Sequence, residues 1–278
     1  MRWTPGANSS DVEDRRGSSG GFGFGGAPIG IGGAILLVVL SLVFHKNFFA
    51  LLGSGDTTQN RPAASRPVQE TPEEHQEVQF VTFVLDDVQS TWDATVPNYH
   101  HAHLVLFRDG IESACGLAQT ASGPFYCPED EKVYLDLSFF DELRQRFHAS
   151  GDFAQAYVIA HEVGHHVQKL LGIEPKVHQL MENDPDHARQ YSVRLELQAD
   201  CFAGIWAHST QQRKLLEKGD IDEALNAAAA VGDDRIQRMS GRAVNPETFT
   251  HGSAQERSSW FRRGYDTGSI DRCNTFQQ

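Results

Sequence analysis

The stretch "AHEVGHHVQK", residues 160–169, carries two histidines at a spacing that can hold one metal ion. His161 and His165 are four residues apart, so on a helix their side chains project from one face, about one turn apart. Glu162 is placed to reach a water on the ion rather than the ion itself. This H-E-x-x-H pattern is typical of zinc sites in which two imidazoles bind the metal and the glutamate acts as general base. His166 lies about 100° around the helix from His165, so we expect it to pack or to form hydrogen bonds.

The same short pattern also arises by chance on helices that bind no ion. Here the two spacer positions, Val163 and Gly164, are uncharged. A glycine inside a helix costs about 1 kcal/mol relative to alanine unless packing requires it. Gly164 therefore indicates that another segment approaches the helix closely at this point.

A third ligand is needed, because a catalytic zinc takes three protein ligands and leaves one position for water. The stretch "RLELQADCFAG" offers Glu196 and Asp200, which are four residues apart and share a helix face. One could bind the ion, while the other accepts a hydrogen bond from the free N–H of a ligand histidine. The alternative is an acidic stripe on a solvated helix. Neighbouring Leu195 and Phe202 favour a buried segment.

Two further residues near these stretches are candidates for the site. His251, in "FTHGSAQER", is the best remaining candidate for a catalytic group that stabilises the oxyanion formed when water attacks a carbonyl. The alternative is a loop histidine that caps the next helix. Tyr157, one turn before His161, is expected to pack in the core.

The elements that must position these residues are mostly helical. Amphipathic spacing predicts a first helix over about 77–93, and alternating β-favouring residues predict strands over 103–107 and 132–139. The loop between the strands holds Cys115 and Cys127, which suggests a hairpin joined near its tip by a disulfide. From Ser138 onward, start and stop signals predict successive helices, one of which carries the histidines. The predicted fold class is α+β, mostly helical, with a small β-sheet or hairpin.

Composition divides the chain into four predicted parts. Residues 1–26 form a Gly-rich tail, and residues 27–46 form a transmembrane anchor, because about 18 uncharged residues suffice to span a bilayer. Residues 47–77 form a flexible linker, and residues 78–278 form the domain that carries the H-E-x-x-H motif. A core helix or a cleavable signal peptide fits the apolar run less well, because polar stretches flank it and bulky aromatics follow it.

The charges near the apolar run predict its orientation. Lys and Arg slightly favour a cytoplasmic N-terminus. The protein is therefore predicted to be a single-pass inner-membrane protein whose C-terminal domain lies outside the cytoplasm. The net charge of −13, from 37 acidic and 24 basic residues, disfavours nucleic acid as a partner.

Four cysteines follow the predicted anchor, which fits two disulfides in an oxidising compartment. Sequence order suggests Cys115–Cys127 and Cys201–Cys273, although four cysteines allow three pairings. A thiolate metal site is disfavoured, because no C-x-x-C spacing occurs.

Taken together, these motifs resemble known metallopeptidases. "HEVGH" followed by "ELQAD" is similar to the gluzincin type. The stretches "MRW", "VEDRRG", "CGLAQTASGPFYCPEDEKVYLD", "HEVGHHVQ", "RLELQADCFAGIWA" and "THGSAQER" resemble, over nearly the whole chain, the bacterial neutral zinc metallopeptidase family. The resemblance implies a zincin-like fold in which one Zn²⁺ per chain is bound by His161, His165 and Glu196. It also implies Glu162 as the base and Asp200 as the residue supporting a ligand histidine.

The expected function is therefore that of a membrane-anchored zinc peptidase acting on a peptide or protein substrate. The alternative is a catalytically weak protein of the same fold that acts as a binding or assembly factor in the cell envelope. An intact Glu162 argues against that alternative, because a site without catalysis needs no base. A purely structural zinc site is also disfavoured, since such sites are usually closed by four protein ligands.

Overall fold

The fold is given by a computed structural model that describes residues 1–5, 9–17, 68–119 and 123–277. Met1–Arg16 and Val68–Gln278 belong to one compact unit. This unit is α+β and mostly helical with small sheets, which confirms that part of the predicted fold class.

Eight helices occupy the described residues. They are α1 (Pro72–Asp93), α2 (Ser138–Gln145), α3 (Asp152–Leu170), α4 (Ile173–Asn183), α5 (Ala188–Gln212), α6 (Asp220–Ala230), α7 (Asp233–Met239) and α8 (Ala254–Thr267). Helix α3, which carries the histidine motif, is central, because α1, α5 and α6 all pack against it. Helix α1 starts earlier than predicted, since Thr71 caps it by accepting a hydrogen bond from the backbone N–H of Glu74 at 3.2 Å.

Glycines at both ends set the limits of α3. Gly172 follows the helix with φ 67°, the left-handed conformation that ends helices at low cost in glycine. Gly151 precedes it with φ 116°, and a Cβ atom there would lie 2.0 Å from Oε2 of Glu223. The absence of that Cβ lets Glu223 accept a hydrogen bond from the N–H of Phe153 in the first turn, at 3.1 Å.

Six strands form two small sheets in the described residues. They are β1 (Val12–Asp14), β2 (His103–Phe107), β3 (Gly110–Ser113), β4 (Gly116–Gln119), β5 (Phe125–Cys127) and β6 (Lys132–Asp136). The larger sheet has the order β1-β2-β6-β5, in which β1, β2 and β6 are parallel and β5 is antiparallel to β6. Strands β3 and β4 form a separate antiparallel hairpin. Edge strand β5 lies beside α3 and therefore beside the histidine motif.

The predicted hairpin is wrong in its pairing. The strands predicted at 103–107 and 132–139 do pair, as β2 and β6, but in parallel. A parallel pair needs a crossover, and the chain between these strands contains β3, β4 and β5. The second strand also ends earlier than predicted, because helix α2 begins at Ser138.

Both predicted disulfides are present. Cys115–Cys127, with Cα atoms 5.7 Å apart, ties the turn of the β3–β4 hairpin to β5. Cys201–Cys273, with Cα atoms 5.6 Å apart, ties α5 to the short 3₁₀ turn Ile270–Cys273. The second disulfide is fully buried and fixes the C-terminal segment against α5.

The predicted transmembrane helix and the predicted single-pass inner-membrane location need correction. Within the described ranges, no helix is long and apolar enough to cross a bilayer. The two longest described helices, α1 and α5, carry charged residues because each turns one face to the core and another to solvent. Residues 27–46, on which the predicted anchor falls, lie outside the described residues.

The first residues of the chain pack against the helices. Trp3 contacts Phe80 of α1 edge to face, with ring centroids 5.3 Å apart. The α-amino group of Met1 lies 2.7 Å from the carboxylate of Asp152, the first residue of α3. Strand β1 adds to the sheet beside β2. Residues 1–5 and 9–16 thus both contribute to the folded unit.

Candidate metal centre

Helices α3 and α5 bring together the three residues predicted to bind a metal. Nε2 of His161 lies 3.2 Å from Oε2 of Glu196, and Nε2 of His165 lies 3.5 Å from Oε1 of the same carboxylate. The two helices approach closely at Gly164, where a Cβ atom would lie only 3.1 Å from the carbonyl oxygen of Ala199. The glycine inside the motif therefore has the packing role that its cost predicts.

These positions fit a zinc ion. In a tetrahedral site with bonds of about 2.1 Å, neighbouring ligand atoms lie about 3.4 Å apart, close to the two distances seen here. One ligand atom from each of His161, His165 and Glu196 lies within 4.8 Å of the others. Two imidazoles and one carboxylate are also a donor set typical of catalytic zinc.

The second nitrogen of each histidine is held by a neighbouring side chain. Nδ1 of His161 lies 2.9 Å from Oδ1 of Asp200, and Nδ1 of His165 lies 2.9 Å from Oε1 of Gln168. An N–H at Nδ1 leaves Nε2 with a free lone pair, so both rings present Nε2 to the space between them. Gln168 is itself fixed, because its amide donates to the carbonyl of Leu195 at 2.7 Å.

The electrostatics of the cluster favour a cation. Burial alone would lower the pKa of His161, but the charges and hydrogen bonds of Asp200 and Glu196 raise it to about 10. Burial alone would raise the pKa of Glu196, but the nearby His165 and His161 hold it far below its ordinary value. The carboxylates of Glu196 and Asp200 together stabilise positive charge between the helices. Such an environment is suited to a divalent metal ion.

Glu162 is buried next to this cluster. Its carboxylate accepts a hydrogen bond from the backbone N–H of Tyr126 on β5. Burial raises the pKa of Glu162 to about 7, with the charge of His161 lowering it and that of Glu196 raising it. A carboxyl with a pKa near neutrality can take up and release a proton under physiological conditions.

A cleft of about 570 Å³ opens onto the cluster and exposes Glu162 and the three ligand candidates to it. Edge strand β5 and the residues before it form one wall. The lining includes the apolar side chains of Phe139, Phe147, Val158, Val231 and Ile236, and the polar or charged side chains of Glu142, Arg146, Glu174, His178 and Ser192. The cluster therefore lies within a cleft that offers both apolar and polar contacts.

A comparison with protein families identifies the chain. The model of the family described as "Putative neutral zinc metallopeptidase" matches residues 1–276. The chain belongs to this family. This confirms the resemblance seen in the sequence, and the family's description names both zinc and peptidase activity.

Relatives of the chain come from several bacteria. "Uncharacterized protein YpfJ" of Escherichia coli strain K12 is 47% identical over 287 residues, which cover 99% of each protein. "Uncharacterized protein Mb2605" of Mycobacterium bovis and "Uncharacterized protein Rv2575" of Mycobacterium tuberculosis strain H37Rv are each 45% identical over 202 residues. Those residues cover 69% of this chain and 68% of either relative. No solved structure matches the chain.

In this member of the family, His251 lines the same cleft as Glu162. Its Nδ1 lies 3.2 Å from Oδ1 of Asp233, and half of its side chain is exposed. The other oxygen of Asp233 accepts the backbone N–H groups of Thr250, His251 and Gly252, which fixes the loop. The hydrogen bond to Asp233 raises the pKa of His251. The catalytic role of His251 stays a prediction.

His166 has the hydrogen-bonding role expected of it. Its Nε2 donates to the carbonyl of His100 at 2.7 Å, and its Nδ1 lies 2.9 Å from the hydroxyl of Tyr126. The ring is fully buried, and burial lowers its pKa to about 4. His166 thus fixes edge strand β5 to α3 and does not face the metal centre.

Sequence reasoning missed two residues of the centre and part of the role of a third. Gln168, three residues after His165, could have been found from its position on the ligand face of the helix. Tyr157 packs in the core as expected, but its hydroxyl also donates to Oδ1 of Asp200 at 2.5 Å. Arg257, in the quoted stretch "THGSAQER", is buried against Asp200 and carried no separate signal in the sequence.

Proposed function

We propose that this protein is a zinc-dependent peptidase that hydrolyses peptide bonds in a peptide or protein substrate. In this proposal one Zn²⁺ per chain is bound by His161, His165 and Glu196, and Glu162 is the general base. The observation that carries it is that one ligand atom from each of these three residues lies within 4.8 Å of the others, with the buried carboxylate of Glu162 beside them on the same cleft.

The zinc, when bound, supplies a Lewis acid that polarises the substrate carbonyl and makes water acidic. Glu162, buried beside the three proposed ligands on the same cleft, is placed to accept the proton of the attacking water. The hydrogen bond from Tyr126 holds its carboxylate in place. His251 lines the cleft and can donate a hydrogen bond to the oxygen on which negative charge develops.

A peptide is favoured as substrate by the wall of the cleft. Strand β5 is hydrogen-bonded to β6 on one side and ends the sheet on the other. An edge strand offers backbone donors and acceptors to an extended peptide. Residues 123–126 line the cleft, so a peptide added there would pass beside Glu162.

The decisive experiment compares the zinc-loaded full chain with its Glu162→Gln variant on casein as an unstructured substrate. The variant should bind zinc as the parent does and should lose hydrolysis by about 10²–10⁴-fold, because it lacks only the base. The control is Glu182→Gln, which changes an exposed acidic residue of α4 outside the cleft and should hydrolyse like the parent. Hydrolysis by Glu162→Gln at the parent's rate would refute the proposal. Zinc binding without hydrolysis by the parent would favour the binding or assembly role instead.

A further inference from the structure

Arg257, on α8, lies at the candidate metal centre and at the wall of the cleft, where it contacts residues of two other helices. Its side chain is 4% exposed. Nε lies 2.8 Å from Oδ2 of Asp200, and Nη2 lies 3.0 Å from Oδ1 of the same carboxylate. Nη2 also lies 3.3 Å from the hydroxyl of Tyr157. Nη2 lies 3.4 Å from both ring nitrogens of His161 as well. One guanidinium on α8 thus contacts Asp200 on α5, and Tyr157 and His161 on α3.

The approach of α8 to α5 that makes this contact possible depends on two glycines. A Cβ atom on Gly204 would lie 2.1 Å from the carbonyl oxygen of Phe261, and one on Gly264 would lie 1.9 Å from that of Cys201. Gly204 is one turn after Asp200, so the two backbones are in contact directly beside the ion pair. The close packing of α8 on α5 therefore fixes the position of Arg257 relative to Asp200, both along the α5 axis and in distance from it.

The start of α8 is fixed as well. Ser253 and Glu256 form a reciprocal capping box, and the N–H of Ala254 donates to Asp234 at 2.7 Å. Arg257 is the fourth residue of this helix, directly after the capping residue Glu256. The capped first turn therefore holds Arg257 in one orientation. The guanidinium therefore reaches the metal centre from a rigid element.

The two-point contact determines what Asp200 can do. A guanidinium fork fixes the plane of a carboxylate as well as its position. With that plane fixed, Oδ1 of Asp200 lies 2.9 Å from Nδ1 of His161. Arg257 lies farther from Glu196, at 3.7 Å from Oε2, so Glu196 stays available to the ion while Asp200 is held back from it.

We propose that Arg257 is a positioning residue of the metal centre, which holds Asp200 so that His161 presents Nε2 to the zinc ion and Glu196 remains the only carboxylate ligand. This inference rests on the proposed zinc site. It assigns the "SAQER" segment a role in metal binding that is separate from the expected role of His251.

The experiment measures zinc affinity of the full chain by competition with a chromophoric chelator, together with the visible spectrum of the Co²⁺-substituted protein. Arg257→Met removes the fork, and Arg257→Lys keeps the charge but not the two-point contact. Arg257→Met should bind zinc about 10–100-fold more weakly than the parent and should shift the Co²⁺ bands. Arg257→Lys should shift the bands as well, with a smaller loss of affinity.

The matched control is Arg213→Met. Arg213, which is partly exposed, also makes a two-point contact with a buried carboxylate, through Nη1 and Nη2 to Asp87. Arg213 directly follows Gln212, the last residue of α5. Gln212 lies about 24 Å along the helix from Glu196, at 1.5 Å per residue. This variant should lower the melting temperature while leaving zinc affinity and the Co²⁺ spectrum unchanged.

The possible results separate the inference from the proposed function. A parent protein that binds no zinc refutes the proposed function. A parent that binds zinc, with an Arg257→Met variant equal to it in affinity and spectrum, overturns the role of Arg257 alone. An equal loss of zinc binding in Arg213→Met also overturns it, because the effect is then one of general stability. If Arg257→Met does not fold, Arg257→Lys decides, and an unshifted Co²⁺ spectrum in that variant overturns the inference.

Discussion

Oδ1 of Asp200 on α5 lies 2.9 Å from Nδ1 of His161 on α3. This contact joins two residues that are 39 positions apart in the chain. The carboxylate is fully buried. Burial opposes its ionisation, but the charges of Arg257 and His161 outweigh burial and hold the pKa of Asp200 below its ordinary value. Asp200 is therefore a charged acceptor that fixes both the tautomer and the direction of the imidazole ring.

Replacing Asp200 by Asn should weaken zinc binding by about 10–100-fold, because a neutral amide of similar shape is a poorer acceptor for His161. It also removes the nearer counter-charge of the buried Arg257, so the melting temperature should fall as well. The control is Asp87→Asn, which unpairs Arg213 in the same way but away from the metal centre. Isothermal titration with zinc checks the prediction. Equal zinc affinities of Asp200→Asn and the parent would contradict it.

Replacing Glu196 by Ala should have a larger effect on zinc, since it removes a ligand and not a support. We expect the affinity to fall by more than about 100-fold, beyond the range for residues that only orient ligands. Metal analysis after dialysis should then find little zinc in the variant. The control Glu174→Ala changes another acidic residue of the cleft and should keep the parent's zinc content. Retention of full zinc by Glu196→Ala would show that another residue is the third ligand.

The meeting of the three proposed ligands could be predicted from the sequence because the signals for these residues are local. His161 and His165 lie on one helix whose start and end are marked by Gly151 and Gly172. Glu196 and Asp200 share a face for the same reason of spacing. Only the meeting of the two helices is non-local, and Gly164 gave an indication of it.

The remaining features depend on contacts between distant segments. Arg257 pairs with a carboxylate 57 residues away, and an isolated arginine in a helix is usually expected at the surface. The parallel pairing of β2 with β6 joins strands that are separated in the chain by β3, β4 and β5, whereas the sequence pattern suggested a hairpin. The apolar character of residues 27–44 suggested a membrane helix, and no helix in the described part of the chain has that character.

Replacing Asp233 by Asn should change the pH dependence of peptide hydrolysis. The hydrogen bond to Asp233 raises the pKa of His251. If protonated His251 stabilises the oxyanion, activity is present below that pKa and is lost as pH rises through it. The neutral amide introduced by the substitution removes most of the effect, so the alkaline limb of kcat/KM should move to lower pH.

The control for this prediction is His251→Gln, which has no titrating group at the position. Its alkaline limb should lack the component that moves in Asp233→Asn. Profiles of Asp233→Asn and the parent that coincide over the alkaline range would rule out a role for protonated His251.

Replacing His166 by Gln should reduce the acid sensitivity of the fold. Burial lowers the pKa of His166 to about 4, whereas an unfolded histidine titrates near pH 6.5. The unfolded state therefore binds the proton more readily, so the contribution is fully present above pH 6.5 and is lost as pH falls towards 4. The shift corresponds to a loss on the order of 3 kcal/mol in the free energy of unfolding.

Urea unfolding at several pH values between 7 and 4 measures this directly. His166→Gln should start less stable at pH 7, because the contacts with Tyr126 and the carbonyl of His100 are changed. Its stability should then fall less steeply with acid than that of the parent. His178→Gln, a change at an exposed histidine of α4, should follow the parent. Equal slopes for His166→Gln and the parent would mean that His166 does not set the acid limit, and that the ordering of β5 against α3 withstands its protonation.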